Sequence, residues 1–458
     1  MRRALCPVET LYVAQRSRAV LSCALHGHLD TGALSAAFDS VTAEHPTLRA
    51  RISSDDRGHA LELLGEDRQP RLTLRTGDDE AYQEELNTPL PVGGPLARAV
   101  LISAPDGRSH TLVLTIDHTI TDGHSALTLH NTVWERYGTL VEGTDVPRTT
   151  PVPGTPAAAR TPPPEQPDWP VPVSELLPYS DEAETTKYLE RRIEEAERHR
   201  VELVPYDTPR QPPGTVATES ARERGTADGH RIEVRRLFLD PERTARLRGL
   251  ARDADVSVHG LVGAALLLAA RARLGGEGPR VLGCMSPIDL RSRLAPPLSP
   301  AVMVAAVTSH LQSLPVSEAD DPLELAREVG SRLQDSIERG DHFQEMRIMP
   351  QVPRHPALQM GTVIVTNMGV VPGPRLPEGL RATDVRLVPA REQYFPQAGR
   401  SPLMACVVSL DGRLAVELPH HTACFSPAFM RSLRDDVRST LLAFAEAGGE
   451  RSARPNAT

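Results

Sequence analysis

Lys187 is the only lysine among the 51 basic residues of this 458-residue chain. A Walker A loop grips phosphate through a Gly-Lys-Ser/Thr step, so that nucleotide site is excluded, and a Schiff-base lysine is disfavoured with it. Neither Gly-x-Ser-x-Gly nor His-Glu-x-x-His occurs, which removes the strained serine elbow and the helical zinc protease. The five cysteines, Cys6, Cys23, Cys284, Cys406 and Cys424, are scattered and form no Cys-x-x-Cys pair. They read as reduced buried thiols, not as a disulfide frame or zinc knuckle. Aromatic residues make up 3% of the chain, and the net charge is −9 at a pI near 6.0, which leaves neither stacking platforms nor a basic footprint for nucleic acid. The longest apolar run, Leu261 to Ala270, is too short to cross a bilayer, and Pro7 and Glu9 break up the start before any export-like stretch. The expectation is a soluble, unexported protein of the cytoplasm.

A hydrophobic content of 40% over this length suits two cores better than one. Residues 151–172 are crowded with proline, as in Thr161-Pro162-Pro163-Pro164, and can hold neither a ladder nor a helix interior. A charged helix is expected over Asp181 to Arg200, with Leu189, Ile193 and Ala196 as a narrow apolar stripe on an otherwise solvated element. A second irregular stretch covers 206–229. The chain therefore divides into a first half (1–150), a crossover with its charged helix (151–229), a second half (230–450) and a tail (451–458).

Asp30 or Thr31 can cap a helix that carries Leu34, Phe38 and Val41 and stops at His45-Pro46. Extended segments follow at Ala60 to Leu64, Ala97 to Ile102 and His110 to Ile116, then a helix from Ser125 through Tyr137. In the second half a strand is expected at Arg231 to Leu239 and a deeply buried helix at His259 to Leu274. Strands follow at Val281 to Met285 and Thr362 to Thr366. Leu403 to Ser409 and Arg413 to Leu418 flank Asp411-Gly412, the pair suited to a type I′ turn, and a last helix covers Pro427 to Glu446. Helices and strands mix in both halves, which predicts an α/β layered pair.

Side chains alternate along a strand, so Leu112, Leu114, Ile116 and His118 share one face while Val113, Thr115 and Asp117 share the other. His118 thus ends an apolar row, where an imidazole of near-neutral pKa suits proton abstraction from a hydroxyl or amine. Asp122 and Gly123 follow, Gly123 letting the backbone turn sharply into the next helix. Taken alone, such a histidine is more often packed or solvated than catalytic.

Asp117-His118-Thr119-Ile120-Thr121-Asp122-Gly123 resembles the His-His-x-x-x-Asp-Gly motif of condensation domains, polyketide-associated acyltransferases and alcohol O-acyltransferases, relatives of chloramphenicol acetyltransferase. Four other segments resemble that superfamily in the same order: Arg3 to Glu9, His45-Pro46-Thr47-Leu48-Arg49, Ser286-Pro287-Ile288-Asp289-Leu290-Arg291 and Thr366-Asn367-Met368-Gly369. The resemblance implies two chloramphenicol acetyltransferase-like subdomains forming a V, with a substrate tunnel between them and His118 at its centre. It also implies that His118 is the catalytic base, acting without a covalent acyl-enzyme. Asp122 would be structural, paired with Arg291 in preference to Arg49, and the Gly123 N–H could serve the oxyanion. Asn367 would either contact substrate or hold a turn.

Asp117 departs from the pattern, standing where the family has its first histidine. By alternation it faces away from His118, so loss of the base is not implied; a nearby carboxylate could still raise the pKa of His118, and Asp117 is a candidate for lining the site, so the change is either tolerated drift or altered or lost chemistry. His26-Gly27-His28 and His420-His421 with Cys424 lack a full ligand set, so no metal site is expected. Gly275 to Gly278 reads as a turn. The expected function is transfer of an acyl group from a coenzyme A or acyl-carrier-protein thioester, the only co-substrate implied, to a hydroxyl of a lipid, polyketide or other specialised metabolite. Amide formation on an amine, and a non-catalytic role recruiting a carrier protein or partner enzyme, are the alternatives.

Overall fold

A computed structural model describes residues 2–143, 169–208, 230–391 and 400–452. Residues 151–168 of the proline-rich crossover, 209–229 of the second irregular stretch and the tail from 453 lie outside the described residues. Helices are α1 (Pro7–Gln15), α2 (Thr31–Glu44), α3 (Asp79–Asn87), α4 (Gly123–Glu142), α5 (Glu182–Arg198), α6 (Pro241–Asp253), α7 (Val258–Arg271), α8 (Pro322–Glu338), α9 (Asp341–Ile348) and α10 (Pro427–Ser452). Strands are β1 (Arg2–Ala4), β2 (Ser17–Gly27), β3 (Ala50–Asp55), β4 (Gly58–Leu63), β5 (Leu72–Thr76), β6 (Ala97–Ser103), β7 (Ser109–Asp117), β8 (Val204–Pro205), β9 (Ile232–Leu239), β10 (Arg280–Asp289), β11 (Val307–Val316), β12 (Val363–Val370), β13 (Leu380–Arg391), β14 (Arg400–Ser401), β15 (Leu403–Leu410) and β16 (Arg413–His421).

The mixed α/β expectation holds, with two main sheets. One has the order β13-β2-β7-β6-β5 and the other β11-β10-β12-β15-β16-β9. Helices α2 and α4 cover the first through Leu34, Phe38, Val41, Leu129 and Val133, which pack with Leu112, Leu114 and Ile116 of β7. The deeply buried α7 sits on the second, its Leu261, Leu266 and Leu267 enclosed among Leu282, Val363, Val365 and Val416. The expected helices and strands appear with boundaries moved by a few residues, Asp30 caps α2, and Asp411 and Gly412 take the positive φ angles of 48° and 79° that a type I′ turn requires.

Chain order would assign β13 to the second half. In space it completes the first sheet, pairing antiparallel with β2 from Leu380↔Gly27 to Arg391↔Ser17. Ion pairs tie this exchanged strand back to the second sheet: Arg386 of β13 meets the buried Glu417 of β16 at 3.0 Å, and Asp384 meets Arg236 of β9. The stripe on α5 is packed on one side, where Leu189, Ile193 and Ala196 lie against Ile348 and Leu358, and where Arg192 and Tyr188 share the buried Glu345 at 2.8 and 2.7 Å. Arg271 donates to the carbonyls of Leu274, Gly276 and Gly278, which fixes the glycine turn from inside. Among the described residues no single helix is long and apolar enough to cross a membrane.

Burial lowers the pKa of six histidines, His118, His130, His259, His310, His342 and His421, to about 4 each. His130 shows why: in the interior its Nε2 accepts the Trp134 indole N–H at 2.8 Å, a bond only the neutral ring can accept. The unfolded chain, with ordinary histidines near 6.5, binds more protons than the native one between pH 6.5 and 4, so stability rises with pH across that window. Urea midpoints are therefore expected to fall steeply from pH 7 to pH 5; a flat midpoint would contradict the buried neutral state of these rings.

Candidate active site

His118 follows the last residue of β7, its backbone N–H bonded to the Ser17 carbonyl at 2.9 Å. Its ring forms part of the wall of a cavity of about 230 Å³ between the two sheets. Nδ1 is buried without a hydrogen-bond partner, which leaves Nε2 as the nitrogen open to the cavity. The ring stacks on Tyr12, centroids 4.1 Å apart and planes 13° off parallel. Tyr12 was not singled out from the sequence, yet the opening segment explains its position. Arg3 pairs with the buried Glu9 at 2.7 Å, and Glu9 accepts the Cys6 N–H at 2.7 Å, so both ends of that segment fix the start of α1, which carries Tyr12 one turn later.

The lowered pKa of His118 arises first from burial, with the Arg391 cation adding in the same direction; the carbonyls of His118 and Thr121 and the Asp122 carboxylate oppose them. The ring is thus neutral at neutral pH and free to accept a proton. Asp117 faces a different pocket, shared with Arg16, Ser17 and Arg18, where its carboxylate accepts the Thr119 N–H at 2.9 Å. Burial pushes the Asp117 carboxyl up, and the strand alternation separates it from the cavity that His118 lines.

Asp122 is the N-cap of α4, its Oδ1 accepting the Ser125 N–H at 2.9 Å. Its Oδ2 accepts from Arg291 Nε at 3.1 Å, Arg291 Nη2 at 2.8 Å and the Ala306 N–H at 3.0 Å. The fold thus brings Arg291, just beyond β10 of the second sheet, to Asp122 at the end of the first, and leaves Arg49 in its turn before β3. Gly123 opens α4 directly after the loop that follows β7, without a positive φ. Its missing side chain serves close approach: a Cβ there would stand 2.5 Å from Met368 Sδ and 2.9 Å from Met368 Cε. Asn367 lies on the cavity wall and its Oδ1 accepts the Gly369 N–H at 2.9 Å, holding the bulge where β12 shifts register against β15.

Around these residues the wall is largely apolar, with Met285, Met360, Met368 and Met404 contributing flexible thioethers. The polar exceptions include Arg391, a buried guanidinium at the end of β13, and His124, whose Nδ1 is 4.0 Å from Asp289 Oδ1. Neither was identified from the sequence. Arg391 follows no motif, and the exchange of β13 that brings it to His118 is a long-range event. Among the described residues no group of three or more His, Cys, Asp or Glu side chains could hold a metal ion.

Residues 228–419 match the family model described as Phthiocerol/phthiodiolone dimycocerosyl transferase C-terminus. The chain is 26% identical over 325 residues to the phthiocerol/phthiodiolone dimycocerosyl transferase of Mycobacterium leprae, covering 69% of each. It is 24% identical over 421 residues to that of Mycobacterium tuberculosis H37Rv, covering 87% of each. The solved structure of polyketide synthase associated protein 5 from Mycobacterium tuberculosis aligns with a TM-score of 0.68 at 20% identity, over 97% of this chain and 98% of that one. Trichothecene 15-O-acetyltransferase from Fusarium sporotrichioides aligns with a TM-score of 0.70 at 12% identity, over 97% and 95%. The structural likenesses show the fold, one shared with condensation domains and O-acetyltransferases, and the sequence relatives are transferases of acyl groups, which supports an acyltransferase.

Proposed function

We propose that the chain forms esters, moving an acyl group from a coenzyme A or carrier-protein thioester to a hydroxyl of a lipid, polyketide or other specialised metabolite. The observation that carries this reading is a neutral imidazole, His118, whose Nε2 opens into an apolar cavity between the two sheets. Nε2 takes the hydroxyl proton as the oxygen attacks the thioester carbonyl, the C–S bond breaks, and His118 returns the proton to the leaving thiolate. No acyl-enzyme forms. The N–H of Gly123, in the first turn of α4 where amides have no helical acceptor, is the donor assigned to the oxyanion.

Asp122 and Arg291 are structural in this reading, while the methionine-lined wall suits an alkyl chain. The relatives named dimycocerosyl transferases favour a lipid acceptor. All five cysteines are buried free thiols, which accords with a reducing, cytoplasmic setting. Incubation with lauroyl-CoA and a long-chain alcohol is expected to release free thiol and a matching amount of ester by mass spectrometry, with a matched amine a poorer acceptor. Thiol release without ester, or amide as the dominant product, would overturn the reading.

A further inference from the structure

The backbone N–H of His118 is bonded to the Ser17 carbonyl at 2.9 Å, but the outer torsion of a histidine side chain has a broad well, so aiming Nε2 takes a further restraint. A hydrogen bond at the other ring nitrogen commonly supplies it. Here none does. Among the described residues Nδ1 has no partner, and the carbonyls of His118 and Thr121, although they favour the charged ring, close no bond to that nitrogen. What lies against the ring is Tyr12, within 13° of parallel at a centroid distance of 4.1 Å. Burial pushes the Tyr12 hydroxyl up to about 12, so the phenol keeps its proton and brings no charge to the base.

Tyr12 is held in turn by the other half of the chain. Cys6 and Val8 of the opening segment are buried in one cluster with Leu290, Val304, Ala306 and Met346, and Leu11 and Tyr12 pack against that cluster. The imidazole thus stands at the end of β7, while the surface it lies on is anchored through α1 in the second half. We propose that Tyr12 is the positioning residue of the base, its ring plane fixing the direction of the His118 imidazole in place of a hydrogen bond. The proposal rests on the acyl-transfer reading for the role of His118, not for the stack itself.

Nuclear magnetic resonance of protein carrying isotope-labelled histidine reads the stack without turnover. The His118 ring C–H signal, identified by its loss in His118→Ala, is expected upfield of an ordinary histidine in the wild type, because the ring lies over an aromatic face. Tyr12→Phe should keep that displacement and Tyr12→Leu should lose it. In ester formation Tyr12→Leu is expected to lower kcat by about 10- to 100-fold with KM near the wild-type value, the scale of a base displaced by about 1 Å, and Tyr12→Phe to keep most of the rate. Made in His118→Ala, Tyr12→Leu should cost little more, since no base is left to aim. An undisplaced wild-type signal, an unchanged kcat in Tyr12→Leu, an equal loss with and without His118, or loss of the rate in Tyr12→Phe would each overturn the proposal. If leucine prevents folding, the wild-type signal and Tyr12→Phe still decide the matter. A displaced signal in a wild-type protein that forms no ester would count against the acyl-transfer reading alone.

Discussion

Replacing Arg291 with methionine is expected to destabilise the protein by about 3 to 5 kcal/mol, the cost of leaving one member of a buried ion pair without the other. Asp122 is 3% exposed and Arg291 equally enclosed. The guanidinium contributes more than its two bonds to the carboxylate. It also donates to the carbonyls of Ser299 at 2.6 Å, Val302 at 3.1 Å and Val304 at 3.0 Å, so methionine would take a charged donor from three carbonyls that keep only a backbone N–H each, and would leave the carboxylate unpaired. Urea unfolding at pH 7 measures the loss. An unchanged midpoint would mean that the connection between the two sheets does not depend on this pair.

Asp122→Asn tests the same junction from the other side. Its carboxylate receives hydrogen atoms from Ser125, Arg291 and Ala306, and an asparagine would turn an NH2 group toward one of these donors. The damage falls on the cap of α4 and on the loop from His118 to Asp122, so stability should suffer before proton transfer does. In the proposed mechanism both residues stand beside the base without entering its reaction, so their substitution is expected to separate assembly of the site from its chemistry.

How far the sequence spoke for the site depended on distance along the chain. Alternation alone puts Leu112, Leu114 and Ile116 on one face, which α2 and α4 cover in the structure, and the same count puts His118 and Asp117 in separate spaces. The Asp122 and Arg291 contact required likeness to a family, since nothing in 169 residues of separation forces two side chains together. Tyr12, Arg391 and His124 escaped both routes. Tyr12 depends on how α1 docks, and Arg391 on a strand from the second half of the chain that completes the first sheet, an exchange that no periodicity encodes. Gly123 was read as a turn because glycine permits one, whereas what it accommodates is Met368, a residue 245 positions further on by the numbering.

The size of the effect at His118 follows from what its ring is placed to do. A positioned general base contributes about two to four orders of magnitude, and the ring already has the neutral form that proton abstraction needs. Tyr12 holds it from one side while Nδ1 is sealed in protein, so only Nε2 can reach a substrate. Alanine removes the acceptor nitrogen without touching the Asp122 and Arg291 junction. The most direct measurement is kcat/KM for ester formation by wild type and His118→Ala with the same thioester and alcohol, alongside melting curves of both. A loss of about 100- to 10,000-fold with a near-native melting curve is the expected result; turnover within a few-fold of wild type would contradict His118 as the base.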